Sequence, residues 1–175
     1  PYSQSEFGVP NNLYIIGTMN TADRSVEALD SALRRRFCFT EMMPRPELLT
    51  KAIGGISLQE VLETINKRIV VLKDREHQIG HSYFLKAEDK QSLKMVFKNN
   101  IIPLLQEYFY GNYDYIRLVL GEGFMKRNET IEFACQPETD VEQPQYRLLT
   151  DEEWKDVDII DSIRKCLSGN LKTQN

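Results

Sequence analysis

Cysteine and histidine are scarce in this chain of 175 residues, which has three of the former and two of the latter. Cys38, Cys135 and Cys166 stand far apart, are odd in number and form no CxxC pair or Cys/His cluster. Neither a disulfide framework nor a zinc site is supported. His77 and His81 are four residues apart with only Asp74 and Glu76 near them, too few ligands to close around a metal. Long apolar runs are missing too. A bilayer span needs about 20 such residues, and the longest runs here, such as Ile101 to Leu105, break within a few positions. The opening Pro-Tyr-Ser-Gln-Ser-Glu-Phe has no basic region followed by an apolar one, so it does not read as a secretory signal. It has no initiator Met either, as an excised piece would not. With sparse cysteine and no membrane signal, a cytoplasmic location is the expectation. Positive charge is not in excess: the net charge is −4, which argues against a broad phosphate-binding surface. The run Arg34-Arg35-Arg36 is a local exception.

What is present suffices for a core, with 41% hydrophobic and 27% charged residues. Leu13 to Met19 is a nearly continuous apolar run rich in β-branched and aromatic residues, the pattern of a strand buried on both faces. A polar loop follows, then a helix from Val26 to about Arg34 with Ser25 as its cap, then a second strand over Phe37–Thr40. This order predicts a right-handed βαβ unit. Beyond Pro46 the pattern turns helical. Ser57 caps an amphipathic stretch whose stripe is Leu58, Val61, Leu62, Ile65, Ile69 and Leu72. Ile79 to Phe84 predicts a tight loop, and Ala87 to Tyr110 a second long helix kinked near Asn100 by Pro103. A short helix over Tyr113–Leu120 ends at Gly121. Strand character over 130–135 and 145–149 predicts a hairpin. Thr150 to Glu153 matches a capping box opening a last helix to about Leu167, and disorder is expected from Ser168.

The stretch Leu13 to Phe37 carries the chemistry. An Asn at the carboxyl end of a buried strand sits where open α/β sheets hold ligands. Such an amide can donate to a phosphoryl oxygen and accept from an attacking water. It can equally be a loop cap, and periodicity alone favours the cap. Three successive arginines project about 100° apart around a helix. At least one therefore faces solvent or a neighbour, and a guanidinium suits a γ-phosphate. A solvated, dipole-favoured basic end is the plainer account of the same residues.

Tyr14-Ile15-Ile16-Gly17-Thr18-Met19-Asn20-Thr21-Ala22-Asp23-Arg24-Ser25, followed by Leu29-Asp30-Ser31-Ala32-Leu33-Arg34-Arg35-Arg36-Phe37, resembles the AAA+ superfamily. It is closest to McrB-like GTPase subunits of modified-cytosine restriction systems. Ile79 to Phe84, Ile102 to Tyr110, Tyr2-Ser3 and Phe7 to Pro10 extend the resemblance over roughly residues 1–123. It implies that Asn20 is sensor 1, that Arg35 and Arg36 are trans-acting fingers, and that Thr21, Asp23 and Arg24 form the supporting loop. If Gly80 to Phe84 takes the place of the Gly-x-Ser-x-Arg stretch of related ATPases, Phe84 stands where their lid arginine does, and His81 is either a nucleotide-proximal lid residue or a capped structural histidine; sensor 2 stays unassigned. The implied architecture is an α/β fragment of an AAA+ core (1–46), a helical lid (47–123) and a small α+β extension (124–175).

The chain departs from the family in lacking a G-x-x-x-x-G-K-[ST] loop and an apolar strand ending in Asp-Glu ahead of residue 13. The resemblance places both upstream, so this piece is expected to be inactive alone and to hold no nucleotide. In the full-length protein it implies Mg2+ with GTP or ATP, a self-assembled ring, an McrC-type endonuclease partner and DNA bound by a separate upstream domain, with no membrane. A MoxR-like chaperone ATPase and a non-catalytic interaction module are the alternative readings.

Overall fold

The computed structural model describes residues 8–20, 35–129 and 145–169. The chain divides into two units, 1–40 and 41–175. In the first, Asn11 and Asn12 make a turn, closed by the Leu13 amide donating to the Pro10 carbonyl at 3.2 Å. The strands expected over Leu13–Met19 and Phe37–Thr40 are not formed; these residues have no regular secondary structure. Their apolar side chains are exposed, Ile16 at 94% and Tyr14 at 89%. The physical reason is the nature of such a strand. With apolar residues on both faces it needs neighbours in a ladder and helices over it, and among the described residues nothing pairs with it. The expected helix over Val26–Arg34 and the strand over 130–135 lie outside the described residues.

The second unit is built on the apolar stripes. Strands β1 (Ala52–Ile53) and β2 (Ile56–Ser57) form a small antiparallel hairpin. Sequence patterning overlooks this hairpin, although Gly54-Gly55 is a strong signal for its two-residue turn. Both glycines have positive φ, at 60° and 79°. Gly54 also lies against Ile160, where a Cβ would come within 2.6 Å of Cδ1. Helix α1 (Leu58–Leu72) starts at Ser57, whose hydroxyl accepts from the Glu60 amide. Leu58, Val61, Leu62, Ile65 and Ile69 are buried as their spacing requires.

The second long helix is interrupted as expected, in three segments. Helix α2 (Lys90–Val96) passes into a π-helical turn (Phe97–Ile101) and then α3 (Ile102–Tyr108). The Ile102 amide reaches back to the Phe97 carbonyl, five residues away. This widening puts Pro103 in the first turn of α3, where a missing N–H costs little. Helix α4 (Tyr113–Leu120) is capped by Asn112 and stopped by Gly121 at φ 80°. Strands β3 (Met125–Arg127) and β4 (Tyr146–Leu148) pair antiparallel, Lys126 opposite Arg147. β4 is where the hairpin was expected, but among the described residues its partner precedes 130–135.

The predicted capping box is present: Thr150 accepts from the Glu153 amide while Glu153 accepts from the Thr150 amide. The helix it opens is shorter than expected. Helix α5 (Asp151–Lys155) stops, and α6 (Ile159–Ser168) begins anew with Asp158 accepting from the Ile160 and Asp161 amides. Lys94 on α2 explains the break, because its ammonium takes the Lys155 and Val157 carbonyls at 3.1 and 3.0 Å. Ser168 therefore ends a helix rather than beginning a tail.

Residues 145–169 share one core with α1 to α4. Trp154 is buried beside Phe124, and Phe124 stacks on Phe97 at 4.9 Å. Gly123 lets the backbones of this junction meet, since a Cβ there would lie 2.6 Å from the Ser162 Cα. Arg68 joins three helices. Its guanidinium donates to the Val119 carbonyl at 2.6 Å near the end of α4 and to the Cys166 carbonyl at 2.8 Å near the end of α6. A cation is favoured at both of those negative helix ends.

Glu153 gathers the outer layer. It takes a two-pronged bond from Arg147 at 2.7 and 2.8 Å, a third contact from Lys126 at 2.8 Å and the Thr150 amide at 2.8 Å. These donors, Arg147 first, hold its carboxyl far below the ordinary 4.5. The folded state therefore binds this proton less readily than the unfolded chain. The stability Glu153 contributes is complete above pH 4.5 and declines as pH falls below it. Melting temperatures measured from about pH 6 down to about pH 3 should fall, and fall less steeply in Glu153→Gln. Parallel curves for the two proteins would show that Glu153 is not a source of the acid sensitivity.

Candidate functional site

Asn20, Arg35 and Arg36 all belong to the first unit. Asn20 is exposed, as is every described residue from Gly8 to it, and the two arginines stand exposed in a turn just before Phe37. Thr21, Asp23 and Arg24 lie outside the described residues. Exposure suits residues that act on a ligand or a neighbouring subunit. A buried guanidinium would instead need internal partners for its five donors.

His81 belongs to the second unit, in a 3-10 turn over His81–Tyr83 within the predicted Ile79–Phe84 loop. One buried side chain holds this loop. Asn66, on α1, donates from Nδ2 to the Ile79 carbonyl at 2.9 Å and accepts the Ile79 amide on Oδ1 at 2.7 Å. The side-chain amide thus pairs with a peptide unit as a neighbouring strand would. At the other end of the loop Phe84 is fully buried, edge-on to Phe97 with centroids 6.0 Å apart. Phe84 is thus a core aromatic in this chain. His81 itself is half-buried, and its Nδ1 accepts the Arg45 backbone amide at 3.2 Å. The Arg45 side chain pairs with Glu47 at 3.0 Å. That bond comes first in holding the Glu47 carboxyl below its usual range.

His77 is engaged elsewhere. Its Nδ1 lies 2.6 Å from the Asp74 carboxylate, and its ring meets the Tyr108 ring edge-on at 4.8 Å. Burial acts to raise Asp74, but the side-chain and backbone bonds from His77 outweigh it and leave the carboxyl below its usual range. Burial also pushes the Tyr108 hydroxyl up to about 12, with Tyr83, Glu107 and Asp74 adding to the effect. Of Tyr108-Phe109-Tyr110, Phe109 is buried and Tyr108 packs against the core, whereas Tyr110 is 88% exposed. Tyr110 leaves the core at a backbone turn in which it takes φ 52° and Gly111 φ 74°. Lys73 donates to the Tyr108 carbonyl and lies 4.9 Å from the Tyr110 ring centre.

Sequence reasoning missed Asn66 and Arg68 as positioning residues. A signal existed for Asn66. It stands four residues after Leu62 and three before Ile69, on the apolar stripe, where a polar side chain requires a buried partner.

Two comparisons bear on this arrangement. Residues 57–117 match the family model described as McrB, alpha-helical lid domain. The chain carries an McrB lid. The match begins at the Ser57 cap and ends within α4, so it includes Asn66, the Ile79–Phe84 loop and the π-helical turn. The chain is also similar to the Type IV methyl-directed restriction enzyme EcoKMcrB subunit of Escherichia coli (strain K12), at 38% identity over 134 residues. That alignment covers 63% of this chain and 29% of the E. coli subunit, so the chain spans under a third of that relative. Together these similarities support an McrB-like, C-terminal part of an AAA+ protein. No helix among the described residues is long and apolar enough to cross a membrane.

Exposed arginines contribute little to folding. Arg35→Ala and Arg36→Ala should each change the unfolding free energy of this chain by less than about 0.5 kcal/mol in urea titrations. Asn66→Leu in the McrB lid leaves the Ile79 amide and carbonyl buried without partners and should cost about 2–4 kcal/mol in the same titration. An Asn66→Leu protein as stable as the parent would mean that water or another group replaces the amide.

Proposed function

We propose that this chain is the sensing and triggering portion of a GTP-hydrolysing AAA+ motor subunit in a modified-cytosine restriction system. The observation that carries the reading is the 38% identity to the E. coli restriction-enzyme subunit, joined to a lid match in the same chain. In this reading Asn20 is sensor 1. It orients the attacking water and donates to a γ-phosphate oxygen in its own subunit. Arg35 and Arg36 reach the γ-phosphate of the neighbour in a ring, where a planar, always-charged guanidinium offsets the charge developing in the transition state. Thr21, Asp23 and Arg24 support the sensor loop, and His81 lies on the lid side of the nucleotide.

The phosphate-binding loop and magnesium-holding acid are supplied by sequence upstream of residue 13, together with a separate DNA-binding domain. Mg2+ and GTP belong to that complete protein, with ATP the competing nucleotide. This piece alone neither binds nor hydrolyses either. The partners are further copies of the subunit and an McrC-type endonuclease, and the setting is the cytoplasm.

The test uses the full-length protein, with phosphate release measured against GTP and ATP. Turnover should favour GTP, and strict ATP use would remove the McrB-type assignment. Arg35→Ala should lower turnover by about 10³-fold or more while nucleotide binding persists. Unchanged turnover in Arg35→Ala would sink the finger role.

A further inference from the structure

The segment through which the chain passes from its first unit into its second, residues 41–48, is fastened at two points to the stretch that follows α1. Glu41 pairs with Arg75 at 2.9 Å, past the end of α1. The Arg45 amide is held by His81 Nδ1 at 3.2 Å, and a 3-10 turn (Pro46–Leu48) then delivers Leu49 to the core. The His81 end of this link is itself anchored, because Asn66 clamps Ile79 two residues earlier and Phe84 is buried three residues later.

We infer that His81 is a positioning residue that latches the joining segment to the lid loop through Nδ1. A ring nitrogen that accepts a backbone N–H carries no proton, so the neutral imidazole keeps its proton on Nε2. Among the described residues, Nε2 has no hydrogen-bond partner. The ring is therefore fixed at one end and can only donate at the other. A displacement of the Ile79–Phe84 loop is passed to residues 41–48 through this bond, and along the covalent chain to the first unit. The inference stands on the Arg45–His81 geometry and holds whichever nucleotide the full-length protein uses.

Two variants separate the ring's ends. The side-chain oxygen of Asn falls near the place of Nδ1, whereas the Gln amide extends to the place of Nε2. Amide hydrogen exchange on the 175-residue chain reads the latch at Arg45. His81→Asn should keep Arg45 protected. His81→Gln and His81→Ala should speed its exchange by about tenfold, the effect of losing one hydrogen bond. The Ile79 amide, bound by Asn66, should stay protected in all three and so report that the lid remains folded. Equal Arg45 exchange in every variant, or protection kept by Gln and lost by Asn, would overturn the latch. Loss of Ile79 protection together with Arg45 would overturn it too, because His81 would then be supporting the loop and not the joining segment.

Discussion

The lid is organised around one buried amide. Asn66 lies in the middle of the apolar face of α1 and gives both its hydrogen-bonding groups to the peptide of Ile79. Burying an amide without partners costs several times what a single hydrogen bond contributes, so the side chain tolerates one loop position and resists others. From that pairing follow the path of Ile79 to Phe84, the burial of Phe84 against Phe97 and the placement of His81 beside Arg45. Apolar contacts alone would leave this loop free to slide, because a greasy surface has no preferred register. The amide supplies the register.

Around this point, long cationic side chains take carbonyls at helix ends. Arg68 takes carbonyls near the ends of α4 and α6, Lys94 takes those at the end of α5, and Lys73 takes the Tyr108 carbonyl at the end of α3. Each cation meets a negative helix terminus, and each joins elements distant in sequence. The device explains how residues 145–169 belong to the same core as α1 to α4. Trp154 and Phe124 supply the apolar area, and the lysines and arginine tie helix ends to distant elements.

The residues proposed to act on nucleotide form a contrast. Asn20, Arg35 and Arg36 lie on exposed stretches, whereas the second unit has a dense interior. The McrB-type lid, in contrast, carries its own core.

The elements most legible in sequence were those with local causes. The stripe from Leu58 to Ile69, the Ser57 and Thr150 caps, the stop at Gly121 and the interruption before Pro103 all follow from spacing and backbone chemistry within a few residues. The resemblance of 79–84 and 102–110 to an McrB-like lid was legible for a similar reason, as short contiguous strings. Tertiary structure decided what depends on distant partners. It turned Leu13–Met19 away from the strand its composition favours, since that strand needs neighbours to cover both faces. It divided the last helix at Asp156 to Asp158, because Lys94, some sixty residues away, captures the carbonyls there. It paired β4 with β3, put Phe84 in the core and set His81 against Arg45. Sequence determines periodicity and caps because they are settled within a turn or two of backbone. Only the fold determines which far-off donor meets which acceptor, because that choice rests on the whole chain's packing.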